Sequence, residues 1–127
     1  MKILVFGNEL VEKDNLALKL LPKLKEKFAD IEFKEFDPGE NLESEIDEGK
    51  LVILDVIEGI DKIIIVDDID RLKVSKIYSM HDFDLGYNLK LLKKIGKLRE
   101  VEIIGLPMEM DEDEAFEEIS SILTDYN

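Results

Sequence analysis

The sequence predicts an α/β fold, a three-layer sandwich in which a mostly parallel, twisted central sheet of about five strands carries helices on both faces. Two observations predict it. Three short and wholly apolar runs, Ile3–Phe6, Leu51–Leu54 and Ile63–Val66, are composed like strands covered on both faces rather than like half-exposed ones that alternate. Segments between and after them carry apolar residues three and four apart, the period of a helix.

Taken in order, Ile3–Phe6 is a central strand that breaks at Gly7-Asn8, a pair suited to a tight turn. After the polar loop Glu9–Asp14, Asp14 or Asn15 caps a helix whose apolar positions are Leu16, Leu20, Leu21, Leu24 and Phe28. Pro22 interrupts that pattern and predicts a bend. Ile31–Phe36 alternates in part and reads as an exposed edge strand, closed by the turn signal Asp37-Pro38-Gly39. Leu42–Ile46 has room for one or two helical turns before Gly49.

The run Leu51–Leu54 stops at Asp55, and Ile63–Val66 stops at Asp67-Asp68. Residues 71–78 give no clear period; Val74, Ile77 and Tyr78 extend a strand or line a loop. The segment Ser79-Met80-His81-Asp82 precedes a helix over Leu85–Ile95, with Leu85, Leu89, Leu92 and Ile95 in register and Gly96 as its stop. Val101–Gly105 is the last strand, ended by Leu106-Pro107. The acidic loop Glu109–Glu114 then opens a helix carrying Phe116, Ile119, Ile122 and Leu123.

A chain of 127 residues without repeat or linker reads as one domain, 1–127. Its formal net charge of −14 argues against nucleic acid or an anionic membrane as partner. Without cysteine there is no disulfide, no thiolate metal site and no thiol nucleophile. The apolar start is too short for a signal peptide, and no run approaches the roughly 20 residues that cross a bilayer. The expected location is cytoplasmic. Abundant Lys, Glu and Ile with few Gln suits a thermophile.

Ligands of such sheets bind beyond the carboxyl ends of the strands. That rule selects Gly7–Asp14, Asp55–Glu58 and Gly105–Met110. Singly, the candidates have plain readings: Asp14 as a helix cap worth about 1 kcal/mol, Asp55 as the cap of a turn, and His81, the only histidine, as a satisfied surface or core residue. As a set, two carboxylates and one imidazole suit Ni²⁺, Zn²⁺ or Mn²⁺. A helix start near His81 would disfavour imidazolium and leave the ring able to coordinate.

The ordered features resemble the hydrogenase maturation endopeptidases over essentially the whole chain. They are the opening strand with Gly7-Asn8, the acidic Asp14 before an apolar helix, and Asp55 ending Leu51-Val52-Ile53-Leu54. Ser79-Met80-His81 leading through Leu85-Gly86 into a helix, and Gly105-Leu106-Pro107 after a late strand, complete the set. The resemblance implies a metal-recognising hydrolase, grouped with aspartic-type peptidases, that trims the C-terminal extension of a nickel–iron hydrogenase large subunit. It implies that Asp14, Asp55 and His81 are both the catalytic and the metal-binding residues. No tightly bound cofactor is implied: the nickel comes with the precursor large subunit, the expected partner, and Zn or Cd can substitute. The first loop lacks the family's Gly-x-Gly-Asn, which makes Glu12 a rival to Asp14, and the short chain fits a compact archaeal-type branch.

Other features have weaker readings. Asp67-Asp68-Ile69-Asp70 reads as a solvated loop before a second cation site, and Met108 and Met110 as rim packing before a soft contact surface. Glu109–Glu114 has the charge to receive a basic substrate tail. Two non-catalytic alternatives remain. One is a receiver-like signalling domain with Asp55 as its strand-end carboxylate, although Gly7-Asn8, Asp67-Asp68 and Gly105-Leu106-Pro107 stand where it needs an acidic pair, a hydroxyl and a lysine. The other is a degenerate binding or chaperone relative of the same fold.

Overall fold

In the computed structural model of the protein the described residues are 1–6, 16–36, 41–57, 59–68 and 85–126, with Leu85 and Gly86 described by their backbone alone. In chain order the elements are β1 (Lys2–Val5), α1 (Leu16–Lys27), β2 (Glu32–Glu35), a 3₁₀ turn (Leu42–Glu45), β3 (Lys50–Ile57), β4 (Ile64–Val66), α2 (Leu85–Lys94), β5 (Glu100–Pro107) and α3 (Glu112–Thr124). The five strands form one sheet in the order β2-β1-β3-β5-β4. β1 pairs in parallel with β2 and β3, and β3 with β5; β4 alone runs antiparallel, against β5. The predicted mostly parallel sheet is what forms.

Strand alternation sorts the core into two layers. Ile3 and Val5 of β1, Leu54 and Val56 of β3, and Ile104 and Leu106 of β5 meet Leu16, Leu20 and Leu24 of α1 and Ala115, Ile119 and Leu123 of α3. Leu4 and Phe6, Leu51 and Ile53, and Val101 and Ile103 face the other way, onto Leu42, Leu89, Leu92 and Leu98. The central strands read as unbroken apolar runs because both of their faces are covered, each such side chain contributing about 1.5–3 kcal/mol by burial.

Helix ends follow their sequence signals. Asp111 caps α3 by accepting from the Glu114 N–H at 3.1 Å, and Glu112, Asp113 and Glu114 place negative charge on the positive end of the helix dipole. α2 stops at Gly96, whose φ of +81° favours glycine. There the Gly96 N–H donates to the Lys93 carbonyl at 3.1 Å and the Lys97 N–H to the Leu92 carbonyl at 3.0 Å, a Schellman closure. Pro22 lies inside α1, as the sequence indicates.

Several expectations are corrected. β3 does not stop at Leu54 but runs through Asp55 to Ile57, and β5 runs past Gly105 to Pro107, because the two strands pair over their full lengths. The apolar run Ile63–Val66 is not a central strand: β4 is a three-residue edge strand with Ile65 46% exposed. Ile95, counted with the buried face of α2, falls in the closing turn and is 54% exposed. The readings of residues 71–78 and of the Asp37-Pro38-Gly39 turn lie outside the described residues. A receiver-type order, 2-1-3-4-5, is also not what forms, since β5 lies inside and β4 closes the edge.

Candidate functional site

The chain leaves β1 for β2 on one side, while β3 lies on the other, so the crevice of this sheet lies between the carboxyl ends of β1 and β3. β1 ends at Val5, paired with Leu54, and the Phe6 N–H donates the last bond, to the Leu54 carbonyl at 2.9 Å. β3 continues beyond that point with β5 alone. The rim therefore has a step, and Asp55 is the first residue past it.

Asp55 follows the alternation of Leu51 and Ile53, which turns its side chain to the α2 face of the sheet. It is fully buried. In the parallel ladder the next N–H directed at β1 belongs to Val56, where β1 has ended. The Asp55 carboxylate takes that proton instead: the Val56 N–H donates to Oδ1 at 2.7 Å. A buried carboxylate would be costly without such a donor, and a buried N–H equally so without an acceptor. The strand itself thus fixes one oxygen of the acid.

Apolar side chains border this step. Phe6 stacks on Phe36 with ring centroids 4.9 Å apart and planes 20° from parallel. Across β3 from Phe6, Asp55 is in register with Gly105 of β5. A Cβ at 105 would lie 2.3 Å from Ile57 Cδ1 and 3.3 Å from Ile64 Cγ1, so the space is already taken by the side chains of β3 and β4. The aromatic pair was legible only as a Phe closing each of two apolar stretches, and its contact was not anticipated. Gly105 was selected as rim, but for its position and not for this close approach.

Both helices that follow the candidate loops start at this edge. α1 ends where the chain turns into β2 at the amino edge, the Glu32 N–H donating to the Met1 carbonyl at 2.9 Å. α2 ends at the Gly96 turn just before β5 begins beside the start of β3. Each therefore has its first residues on the carboxyl side. Asp14 precedes the first residue of α1 by two positions and His81 that of α2 by four. Asp14, His81 and the rival Glu12 lie outside the described residues, so of the predicted set it is Asp55 that is placed. Among the described residues no group of three His, Asp or Glu side chains is arranged to hold a metal ion.

Elsewhere on the carboxyl side, a groove of about 460 Å³ is lined by Gly59, Asp61, Met108, Glu109, Met110 and Glu114. Met108 and Met110 are partly buried and pack against the α1–α3 layer, in keeping with rim packing. Asp67 lies at the other end of the sheet, in a cleft of about 500 Å³ with Lys50, Arg99, Glu102 and Tyr126. That separates it from Asp55, and Asp70 lies outside the described residues.

A family profile described as HycI, hydrogenase maturation protease, matches residues 39–124. The matched span contains Asp55 and His81 and begins after Asp14. The fold is similar to that of the [NiFe] hydrogenase maturation protease HybD from Thermococcus kodakarensis, with a TM-score of 0.60 and 24% identity over 99% of this chain and 98% of that one. It is also similar to a protein of uncharacterised role from Wolinella succinogenes, with a TM-score of 0.57 and 15% identity over the same shares. No curated protein matches the chain in sequence.

Proposed function

The chain belongs to the hydrogenase maturation protease family, and on that premise we propose that it removes the C-terminal extension of a nickel–iron hydrogenase large subunit once nickel is in place. Nickel is part of the substrate here. Asp14, Asp55 and His81 complete its coordination while the precursor supplies the remaining ligands, so that binding reports a filled precursor. Two carboxylates and one imidazole suit nickel as donors, and Zn²⁺ or Cd²⁺ as substitutes.

The observation that carries this reading is the carboxylate of Asp55, buried at the step between β1 and β3 and held by the Val56 N–H. A buried acid at a sheet crevice is otherwise a net cost to the fold. The starts of α1 and α2 on the same edge support the reading, since Asp14 precedes the first by two positions and His81 the second by four.

With no cysteine there is no thiol nucleophile, and in this reading water attacks the peptide bond. The peptide carbonyl or the water is polarised by the metal, and a carboxylate that accepts the water's proton, as in aspartic-type peptidases, is the alternative base. Among the described residues no helix is long and apolar enough to cross a membrane. We place the reaction in the cytoplasm, carried out by one domain, with neither nucleic acid nor membrane as partner.

The test is incubation with an unprocessed large subunit in nickel-loaded and nickel-free forms, followed by mass measurement of the products. The expected result is release of the tail from the loaded form alone. Equal cleavage of both forms would remove nickel from the recognition step, and no cleavage of either would remove the activity.

A further inference from the structure

Charge on this molecule is segregated. Acidic residues outnumber basic ones 31 to 17, yet the stretch from Leu85 to Arg99 contains Lys90, Lys93, Lys94, Lys97 and Arg99 and no acid at all. All five of these basic residues are exposed. The same stretch carries three exposed large apolar residues: Tyr87 at 61% and Leu91 at 42% on α2, and Ile95 at 54% in the turn that closes it. They stand four apart, so they form a stripe along one shoulder of α2 that continues into its closing turn. Leu89 and Leu92 supply the buried seam on the other side, and Lys90 and Lys94 border the stripe on its outer flank.

We propose that this stripe is the docking surface for the precursor, taking a segment of it whose apolar side chains are bordered by carboxylates. The inference rests on the function proposed above. α2 begins at the carboxyl edge of the sheet, where Asp55 lies, and runs back toward the amino edge. A partner lying along it is held over the length of the molecule while its end reaches the step in the rim. A protease that cuts one bond of a folded protein gains from binding surface remote from that bond. On a chain of net charge −14 the lysine-bordered stripe is a place where an acidic partner is attracted and not repelled.

Two other occupants fit less well. Anionic lipid would meet the lysines but also the repulsion of the whole acidic molecule. A second copy could offer the exposed Glu117 and Glu118 of α3, but two such copies repel, and a contact between unlike faces does not close into a symmetric pair by itself.

The experiment measures affinity for an unprocessed large subunit by calorimetry and cleavage by mass, on the full chain. The variants are Leu91→Asp with Ile95→Asp, and Lys90→Glu with Lys94→Glu; Glu117→Lys with Glu118→Lys on α3 is the control. The expected result is affinity reduced by about tenfold or more in both α2 variants and in neither case by the control, with kcat at saturating precursor preserved. Melting curves like that of the parent keep the comparison valid, since all these side chains are exposed. Unchanged affinity and KM in both α2 variants would overturn the docking surface while leaving the protease reading intact. A parent that binds the precursor but never cleaves it would overturn the protease reading, and the α2 variants would still decide the surface. A dimer that Leu91→Asp dissociates, or binding to phosphatidylserine vesicles that Lys90→Glu with Lys94→Glu abolishes, would overturn it in favour of those occupants.

Discussion

The Val56 N–H donates to the carboxylate of the residue before it, Asp55, just past the last β1–β3 pair, Val5 with Leu54. One short bond thus serves both the strand and the acid. The bond engages an acceptor oxygen of Asp55, while the function proposed above draws on the charge of the group.

Asp55→Asn keeps an oxygen that can accept from Val56 and removes the negative charge. The expected result is loss of tail release with a melting temperature close to the parent's. Asp55→Leu removes the acceptor too and is expected to cost about 1–3 kcal/mol of stability in denaturant unfolding. Equal stability of the leucine and asparagine variants would mean that the bond to Val56 contributes nothing.

Asp14→Asn and His81→Ala are each expected to abolish processing while leaving the far-ultraviolet spectrum unchanged. The purified chain should bind Ni²⁺, Zn²⁺ or Cd²⁺ weakly in calorimetric titration, and the triple variant with Asp55→Asn should show no such binding. Cleavage retained by His81→Ala would take that residue out of the site.

Gly105 and Ile57 should be coupled. Gly105→Ala brings a Cβ to 2.3 Å from Ile57 Cδ1, an overpacking expected to cost about 1–3 kcal/mol. Ile57→Val removes that methyl group and should make the second substitution better tolerated. A double-mutant cycle measures the coupling, and simple additivity of the two changes would refute the contact.

The ion pairs of Glu45 should make the fold sensitive to acid. Lys34 Nζ lies 2.8 Å from this buried carboxylate and Lys2 Nζ 3.6 Å away. The hydrogen bond from Lys34 holds its pKa below the ordinary value of 4.5, against the opposing effect of burial and with help from the charge of Lys2. Because the folded pKa is the lower one, this stabilisation is complete above 4.5 and is lost as pH falls through the folded value. Lys34 is partly exposed, so Glu45→Gln is expected to cost only about 1 kcal/mol at neutral pH. It should also flatten the decline in melting temperature between neutrality and acid.

Tyr126 should behave in the opposite direction. Its hydroxyl donates to Glu102, and burial first, then that carboxylate, raises its pKa well above the ordinary phenol. With the folded pKa above the unfolded one, the contribution is complete below about pH 10 and is lost as pH rises further. In an absorbance titration of the folded protein the phenolate of Tyr126 should be missing, and Tyr126→Phe should reduce the loss of stability at high pH.

Much of this fold was legible because the central strands are covered on both faces: Ile3–Phe6 and Leu51–Leu54 carry no polar residue, and that pattern has few other solutions. The same rule misread Ile63–Val66. Apolar composition does not distinguish a covered strand from a three-residue edge strand whose middle residue faces solvent. The strand ends were missed for a related reason. Asp55 and Gly105 look like punctuation in the sequence, yet each sits inside a strand: a neighbouring N–H accommodates the buried acid, and Ile57 fills the space beside the glycine. The place of Asp55 at the crevice of the sheet was readable from its position after an apolar run. Its bond to Val56 was not, since that depends on where another strand, fifty residues away, happens to end.

At the amino edge, the carbonyl of Gly49 accepts from both the Arg99 N–H at 2.7 Å and the Glu100 N–H at 3.0 Å, while the Arg99 guanidinium holds the Glu48 carbonyl. This clasp joins β3 and β5 at their first residues and so sets how the eight following pairs align. Slippage by a single position would rotate the whole of β3, and its one acid would then be thrust among the leucines of the helix layer on the far side. The face of the sheet on which Asp55 lies is thereby set by contacts at the opposite end of the same strand pair.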